Sequence, residues 1–353
     1  MEPSPPGPPE PSPPGPLTGI RVVDCSTVLA GPYCTMLLGD LGADVVKVEP
    51  PEGDPTRGWG PPWVGPVDPA TGRPTAAYFL AVNRNKRSIR LDLRRPSGRA
   101  VLRRLLEWGD VVVENFRPGG FARLGFDDAT VAELNPRLVH LAITGYGSEG
   151  PDAARPGFDL IVQAVSGLMS ITGFPDEEGG HPTKVGVAIS DVVTGLLGAV
   201  TVVAALAGRD RPGSPVAGRG ERIDVSLLGA TLAALVNQAQ NAFATGRSPG
   251  RLGNAHPNIV PYETFTTADG EIAVAVGTER QWGRLCEALD RPDLAADPRF
   301  ATNGDRVRNR EALRPMLAER FAARPSADWL AALDGAEVPA GPINDVLAAF
   351  AMP

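Results

Sequence analysis

The sequence predicts an α/β fold, with an open parallel sheet in a large domain followed by a smaller α+β domain. From Ile20 onward, short valine-rich runs alternate with stretches of helical length. That is the pattern of βαβ units, whose parallel strands are buried on both faces and read as unbroken apolar runs. Beyond about residue 250 the alternation gives way to one hairpin signature and a series of helices, which suits a separate α+β layer. With 353 residues, 42% of them hydrophobic, the chain is long enough for two cores.

MEPSPPGPPEPSPPGP has neither a basic start nor an apolar h-region, so it is no signal peptide; residues 1–16 are expected to be a disordered, partly polyproline tail. GIRVVDCS reads as a strand, residues 33–41 as a helix and ADVVKVE as a second strand. A Pro-, Gly- and Trp-rich loop over 50–73 follows. SIRLDL, a helix over 97–108, DVVVEN, a short helix past Pro118 and RLVHLAITGY continue the alternation. Helices over 192–206 and 227–245 lead into VPYETFTTADGEIAVAVG, a hairpin turning at Asp269-Gly270, and then helices over 280–289 and 308–321. The expected boundaries are a large domain over 17–220, a helical linker over 221–250 and a small domain over 251–335.

Composition narrows the function. Thirty-four Lys and Arg against 41 Asp and Glu give a net charge of −7 with no basic stripe, so no nucleic-acid partner is expected. The most apolar stretch, 192–206, is interrupted by glycines, and no membrane span is expected. Cys25, Cys34 and Cys286 are odd in number and unpatterned, which fits a reducing cytoplasm. His140, His181 and His256 lack metal-ligand spacing, so no metal is expected.

Asp191, in VGVAISDVVTGLLGA, falls where an extended apolar run turns into a helix. The helix dipole and free N–H groups there are expected to hold it ionised. Two readings fit, an N-cap and a carboxylate nucleophile. Asp159, in RPGFDLIVQAVSGL, also has an N-cap signature. Gly145 to Gly150 matches GxGxxG, yet PDAARPG follows instead of a helix, which argues against a dinucleotide site. Leu91 and Arg94 in one segment, and Asn115, Phe116 and Arg123 in another, are spaced to line one crevice. An aromatic ring beside guanidinium groups suits a phosphorylated nucleotide, and a solvated charged face with one core phenylalanine fits equally.

Taken together, LTGIRVVDCSTVLAGPYCTMLLGDLGADVVKVEPPEGDPTRGWGPP, NRNKRSIRLDL, VVVENFRPG, ITGYGSEGP, GVAISDVVTGLLGA, GRGERIDVSLL, GNAHPNIVPYETF and VPAGPINDV resemble the class III CoA-transferase family, also called CaiB/BaiF. The resemblance implies a Rossmann-like large domain, a ring-like interlocked homodimer and acyl-CoA:carboxylate CoA transfer. CoA thioester is then a substrate, and no cofactor is implied. Asp191 matches the catalytic aspartate. Val28, Leu29, Leu91, Arg94, Asn115, Phe116 and Arg123 match positions around CoA, and Asp159 matches a glutamate near the nucleophile in formyl-CoA transferases. Leu29 stands where those enzymes have glutamine, and Pro50 where they have arginine, which disfavours oxalate. Phe158 replaces the histidine base of the family's racemases, and phenylalanine moves no proton. VSGLMSITG, GVAISDVVTGL and HPNIVPYETF resemble succinyl-CoA:glutarate or hydroxymethylglutarate CoA-transferases. The rivals are a racemase or epimerase of the same fold and an inactive CoA-binding paralogue. Residues 336–353 are expected to begin a return to the large domain that is cut short here.

Overall fold

The computed structural model describes residues 14–69 and 72–352. Most of the expected tail, residues 1–13, lies outside the described residues. Of residues 14–16, Gly15 packs closely: a Cβ on it would meet the Leu41 carbonyl oxygen at 2.2 Å, and Leu17 N–H donates to that same carbonyl. Two compact units form, one from the residues up to 169 with 184–248, the other from 170–183 with those from 249 onward.

The larger unit carries β1 (Arg21–Asp24), β2 (Asp44–Glu49), β3 (Trp63–Asp68), β4 (Arg73–Ala76), β5 (Lys86–Arg90), β6 (Val111–Glu114), β7 (Val139–Thr144) and β8 (Arg222–Ser226). Six of these make one parallel sheet in the order β5-β2-β1-β6-β7-β8. Side chains alternate along a strand. Val22, Val111 and Val113 therefore enter one core with the helix Ala30–Asp40, while Val23 and Val112 enter the other with Leu102 and Leu106. Burial on both faces is why these strands read as unbroken valine.

Three expectations need correction. The loop over 50–73 contains an antiparallel pair, β3 with β4. The expected linker over 221–250 begins with β8, which pairs in parallel with β7. This edge strand, RIDVS, buries only Val225 deeply, so its apolar pattern is too short to read. Finally, Ala340–Pro342, expected to head back to the large domain, pairs with the small sheet.

The helix Ile189–Asp210 runs longer than its periodicity indicated and, by length and composition, could cross a bilayer. One face of it packs into the core of the larger unit. A Cβ on Gly195 would lie 2.6 Å from the Ala30 carbonyl oxygen, and one on Gly198 would lie 3.0 Å from the Leu141 side chain. Both glycines let this helix press on Ala30–Asp40 and β7.

The smaller unit holds β9 (Tyr262–Thr266), β10 (Glu271–Ala275) and β11 (Ala340–Pro342), antiparallel in the order β11-β10-β9. Phe265, Trp282, Phe321 and Trp329 centre its core. Arg306 is fully buried there and bonds to the Val260 and Phe300 carbonyls and to Glu279.

Candidate active site

The strand order reverses at β1: the chain builds outward through β2 and β5, then lays β6 on the other side of β1. Ligands of open α/β sheets bind beyond the strand carboxyl ends at such a reversal. Here the loops leaving β1 and β6 carry Val28, Leu29, Asn115 and Phe116. Asn115 stitches them together, its Oδ1 accepting the Thr27 N–H at 2.9 Å and its Nδ2 donating to the Thr27 carbonyl at 2.8 Å.

Beneath this loop lies a buried charge cluster. Lys47 Nζ donates to the Ser26 carbonyl at 2.9 Å and sits 3.0 Å from Asp54 and 3.9 Å from Asp24. Lys86 binds Asp24 at 3.0 Å and the Pro32 carbonyl at 2.8 Å. Burial alone would raise the Asp24 carboxyl, but the charges of Lys86 and Lys47 and the hydroxyls of Ser26 and Thr35 hold it far below the usual range.

Asp191 occupies the first turn of its helix but does not cap it; the cap position is Ala188. Asp159 supplies the missing acceptor, its Oδ1 taking the Ser190 N–H at 2.9 Å. Its Oδ2 accepts from Gln163 Nε2 at 2.8 Å, and Gln163 in turn accepts the Val185 N–H at 2.9 Å. Asp159 therefore caps a neighbouring helix, whereas its own helix, Asp159–Val165, has Phe158 at the cap.

The helix end does not hold the Asp191 carboxyl low as expected, although at neutral pH it stays ionised. Burial first, and then the negative charge of Asp159, push its carboxyl up to about 6; the Ala30 N–H at the start of the helix Ala30–Asp40 acts in the opposite direction. The same surroundings reach Tyr78, whose phenol is raised by burial and then by Asp191 and Asp159. A nucleophilic Asp191 must be deprotonated, so kcat/KM should fall on the acid side of about pH 6. Asp159→Asn removes the like charge, and the acid limb of the rate profile should then move to lower pH. A limb left in place would show that Asp159 does not act on Asp191.

Asp191, Asp159, Val28, Asn115 and Phe116 line one cavity of about 270 Å³. The sequence pattern did not single out Ala30, Arg117 or Arg155, which line it as well. Gly145 and Gly157 shape it. A Cβ on Gly145 would come within 2.5 Å of the Gly157 Cα, so only this pair lets the chain carrying Asp159 cross the end of β7. That close crossing is what the first glycine of the GxGxxG match does here, and no helix follows it.

An adjoining cavity of about 570 Å³ is lined by Leu91, Arg94, Phe116 and Arg123, and shares Phe116 and Arg117 with the first. Arg94 is exposed and paired with Asp92 at 2.8 Å, and Arg123 Nη1 donates to the Pro118 carbonyl at 3.4 Å. Leu29 lines neither cavity; it precedes the helix Ala30–Asp40, and its carbonyl accepts the Tyr33 N–H at 2.7 Å. Among the described residues no cluster of His, Cys, Asp and Glu is placed to hold a metal ion.

Comparison with known proteins agrees with this architecture. The chain is 46% identical over 338 residues to the succinate–glutarate CoA-transferase of Agrobacterium fabrum, covering 96% of this chain and 82% of that protein. It is 41% identical to the human succinyl-CoA:glutarate CoA-transferase, covering 96% of this chain and 74% of the human protein. The crystal structure of a CaiB/BaiF family protein from Brucella suis superposes with a TM-score of 0.82 at 46% identity, covering 96% of this chain and 86% of that one. The family described as CoA-transferase family III matches residues 17–353. The chain belongs to this family, the class III or CaiB/BaiF CoA-transferases, and is an enzyme of the CoA-transferase type.

Proposed function

We propose that the enzyme moves CoA between dicarboxylic acids, with succinyl-CoA as donor and Asp191 as nucleophile. The observation that carries this reading is a half-buried carboxylate beside a backbone N–H, in a cavity that shares Phe116 and Arg117 with a second, Arg-lined one. The first accommodates reacting carbonyls and the second the nucleotide end of CoA, where Arg94 and Arg123 offer forked donors to phosphate. The activities named for the Agrobacterium and human relatives, both between succinate and glutarate, support dicarboxylates as the substrate class.

The Asp191 carboxylate attacks the thioester carbonyl, the C–S bond breaks, and a mixed anhydride and CoA thiolate result. The thiolate attacks the Asp191 carbonyl of the anhydride and releases the donor carboxylate, leaving an aspartyl-CoA thioester. An acceptor carboxylate then reverses both steps and regenerates Asp191. Each intermediate stays activated as a thioester or anhydride, so this chemistry needs no metal. Asp159 anchors the start of the Asp191 helix and tunes the charge of Asp191. Phe158 cannot exchange a proton, which disfavours the racemase reading, and the retained Asp191 disfavours an inactive paralogue.

The functional form is proposed to be a homodimer. Phe158 beside a helix start, and Ile161, Val165, Val200, Val236 and Phe243 on helices of the larger unit, are large apolar side chains left exposed, surface that a second copy would cover. Incubation of the protein with succinyl-CoA and a panel of mono- and dicarboxylates, read by mass for new acyl-CoA species, tests the activity. Transfer to five- and six-carbon diacids is expected. An absence of any new thioester would overturn the reading.

A further inference from the structure

Val28 is a β-branched residue with a φ of 71°, in the left-handed region that such residues avoid. Such a conformation persists only where its surroundings impose it. Two features do so here. Lys47 holds the Ser26 carbonyl from below, and the Asn115 carboxamide occupies both backbone polar groups of Thr27. Val28 is the next residue, and two positions later comes Ala30, which lines the same cavity as Asp191 and whose backbone N–H favours the ionised carboxylate.

Asn115 lines the Asp191 cavity, but its carboxamide already has a donor and an acceptor partner in Thr27. We propose that Asn115 is a positioning residue for Asp191: by clasping the Thr27 backbone it locks Val28 in the left-handed conformation and thereby aims the Ala30 N–H at the nucleophile. The contact matters because a backbone donor fixed before reaction costs no reorganisation when charge moves at the carboxylate. This inference rests on the reading of Asp191 as nucleophile.

The test uses the full chain and four variants, Asn115→Ala, Val28→Gly, the two combined, and Asp191→Ala. In Asn115→Ala, kcat should fall by about tenfold or more, the effect of losing one oriented charge-assisted donor, while KM for acyl-CoA changes little. The acid limb of the kcat profile should move to higher pH, because the Ala30 N–H favours the ionised Asp191 while its titrating neighbours, Asp159 and Tyr78, are unchanged. Glycine reaches positive φ without strain, so adding Val28→Gly should recover part of the lost kcat. Asn115→Asp, which keeps an acceptor for the Thr27 N–H, serves the same comparison if the alanine variant does not fold.

A rise in KM with kcat preserved would make Asn115 a CoA contact and overturn the proposal. So would a kcat loss with an unmoved acid limb and no recovery by glycine, which describes a merely structural role. Full activity in Asp191→Ala would overturn the nucleophile reading itself, whereas an inactive Asp191→Ala beside an Asn115→Ala of normal kcat would overturn only the clasp.

Discussion

Asp191→Ala should lose CoA transfer by about 10⁴-fold or more, and Asp191→Asn should retain only a trace, because neither side chain can form the anhydride. The loss should not come from unfolding. Burial and Asp159 raise the Asp191 pKa to about 6 in the folded protein, from an ordinary value of 3.8. A group whose folded pKa is raised contributes stability that is full below the unfolded value and is lost as pH rises through the folded one. At pH 8 the wild type bears the whole penalty of a half-buried charge, and Asp191→Asn does not. The asparagine variant should therefore melt at or above the wild-type temperature at pH 8, with the difference shrinking toward pH 4. An inactive variant that melts well below wild type at pH 8 would point to a structural role instead.

Lys47→Ala should destabilise the larger unit by about 3–5 kcal/mol, the usual cost of leaving a buried charge without its partner. Lys47 is 1% exposed and is the cation nearest the fully buried Asp54, as well as the donor that fixes the Ser26 carbonyl. Lys47→Met, which restores volume without charge, should recover little. Denaturant titration at neutral pH measures this, and a change within about 0.5 kcal/mol, the ordinary range for surface substitutions, would show that the cluster carries no stability. Acid should act on the same region. Asp24 is held below its ordinary range, and Arg57, Ser88 and the Asp54 N–H hold Glu49 at about 2 against burial, from 4.5. Depressed carboxylates stabilise above their unfolded pKa and lose that contribution as pH falls through the folded one. Stability should therefore decline between about pH 4.5 and 2.

The sheet was legible because its strands are buried on both faces and spell themselves out as valine, and β8 was missed because an edge strand with one deeply buried residue spells out almost nothing. Among the site residues, Asp191, Asp159, Val28, Asn115 and Phe116 meet in one cavity, and Leu91, Arg94 and Arg123 in its neighbour, with Leu29 outside both. What local pattern could not supply was the upward shift of the Asp191 carboxyl. A carboxylate at a helix start predicts a charged group, yet Asp191 is raised because folding buries it beside Asp159, a neighbour distant in the chain. The Asp24, Lys47, Asp54 and Lys86 cluster escaped notice for the same reason. Lys47 and Asp24 sit within strands of ordinary appearance, and only the parallel register of β1 with β2 brings them side by side.

The most direct test of the account is to trap the covalent intermediate. Full-length protein turning over succinyl-CoA and glutarate should be quenched with hydroxylamine, and separately with borohydride, then digested and read by peptide mass. Asp191 should carry a hydroxamate in the first case and be reduced to the alcohol in the second, only when acyl-CoA is present, and Asp159 should stay unmodified. An unmodified Asp191 in protein that is fully active under the same conditions would contradict covalent transfer through this residue.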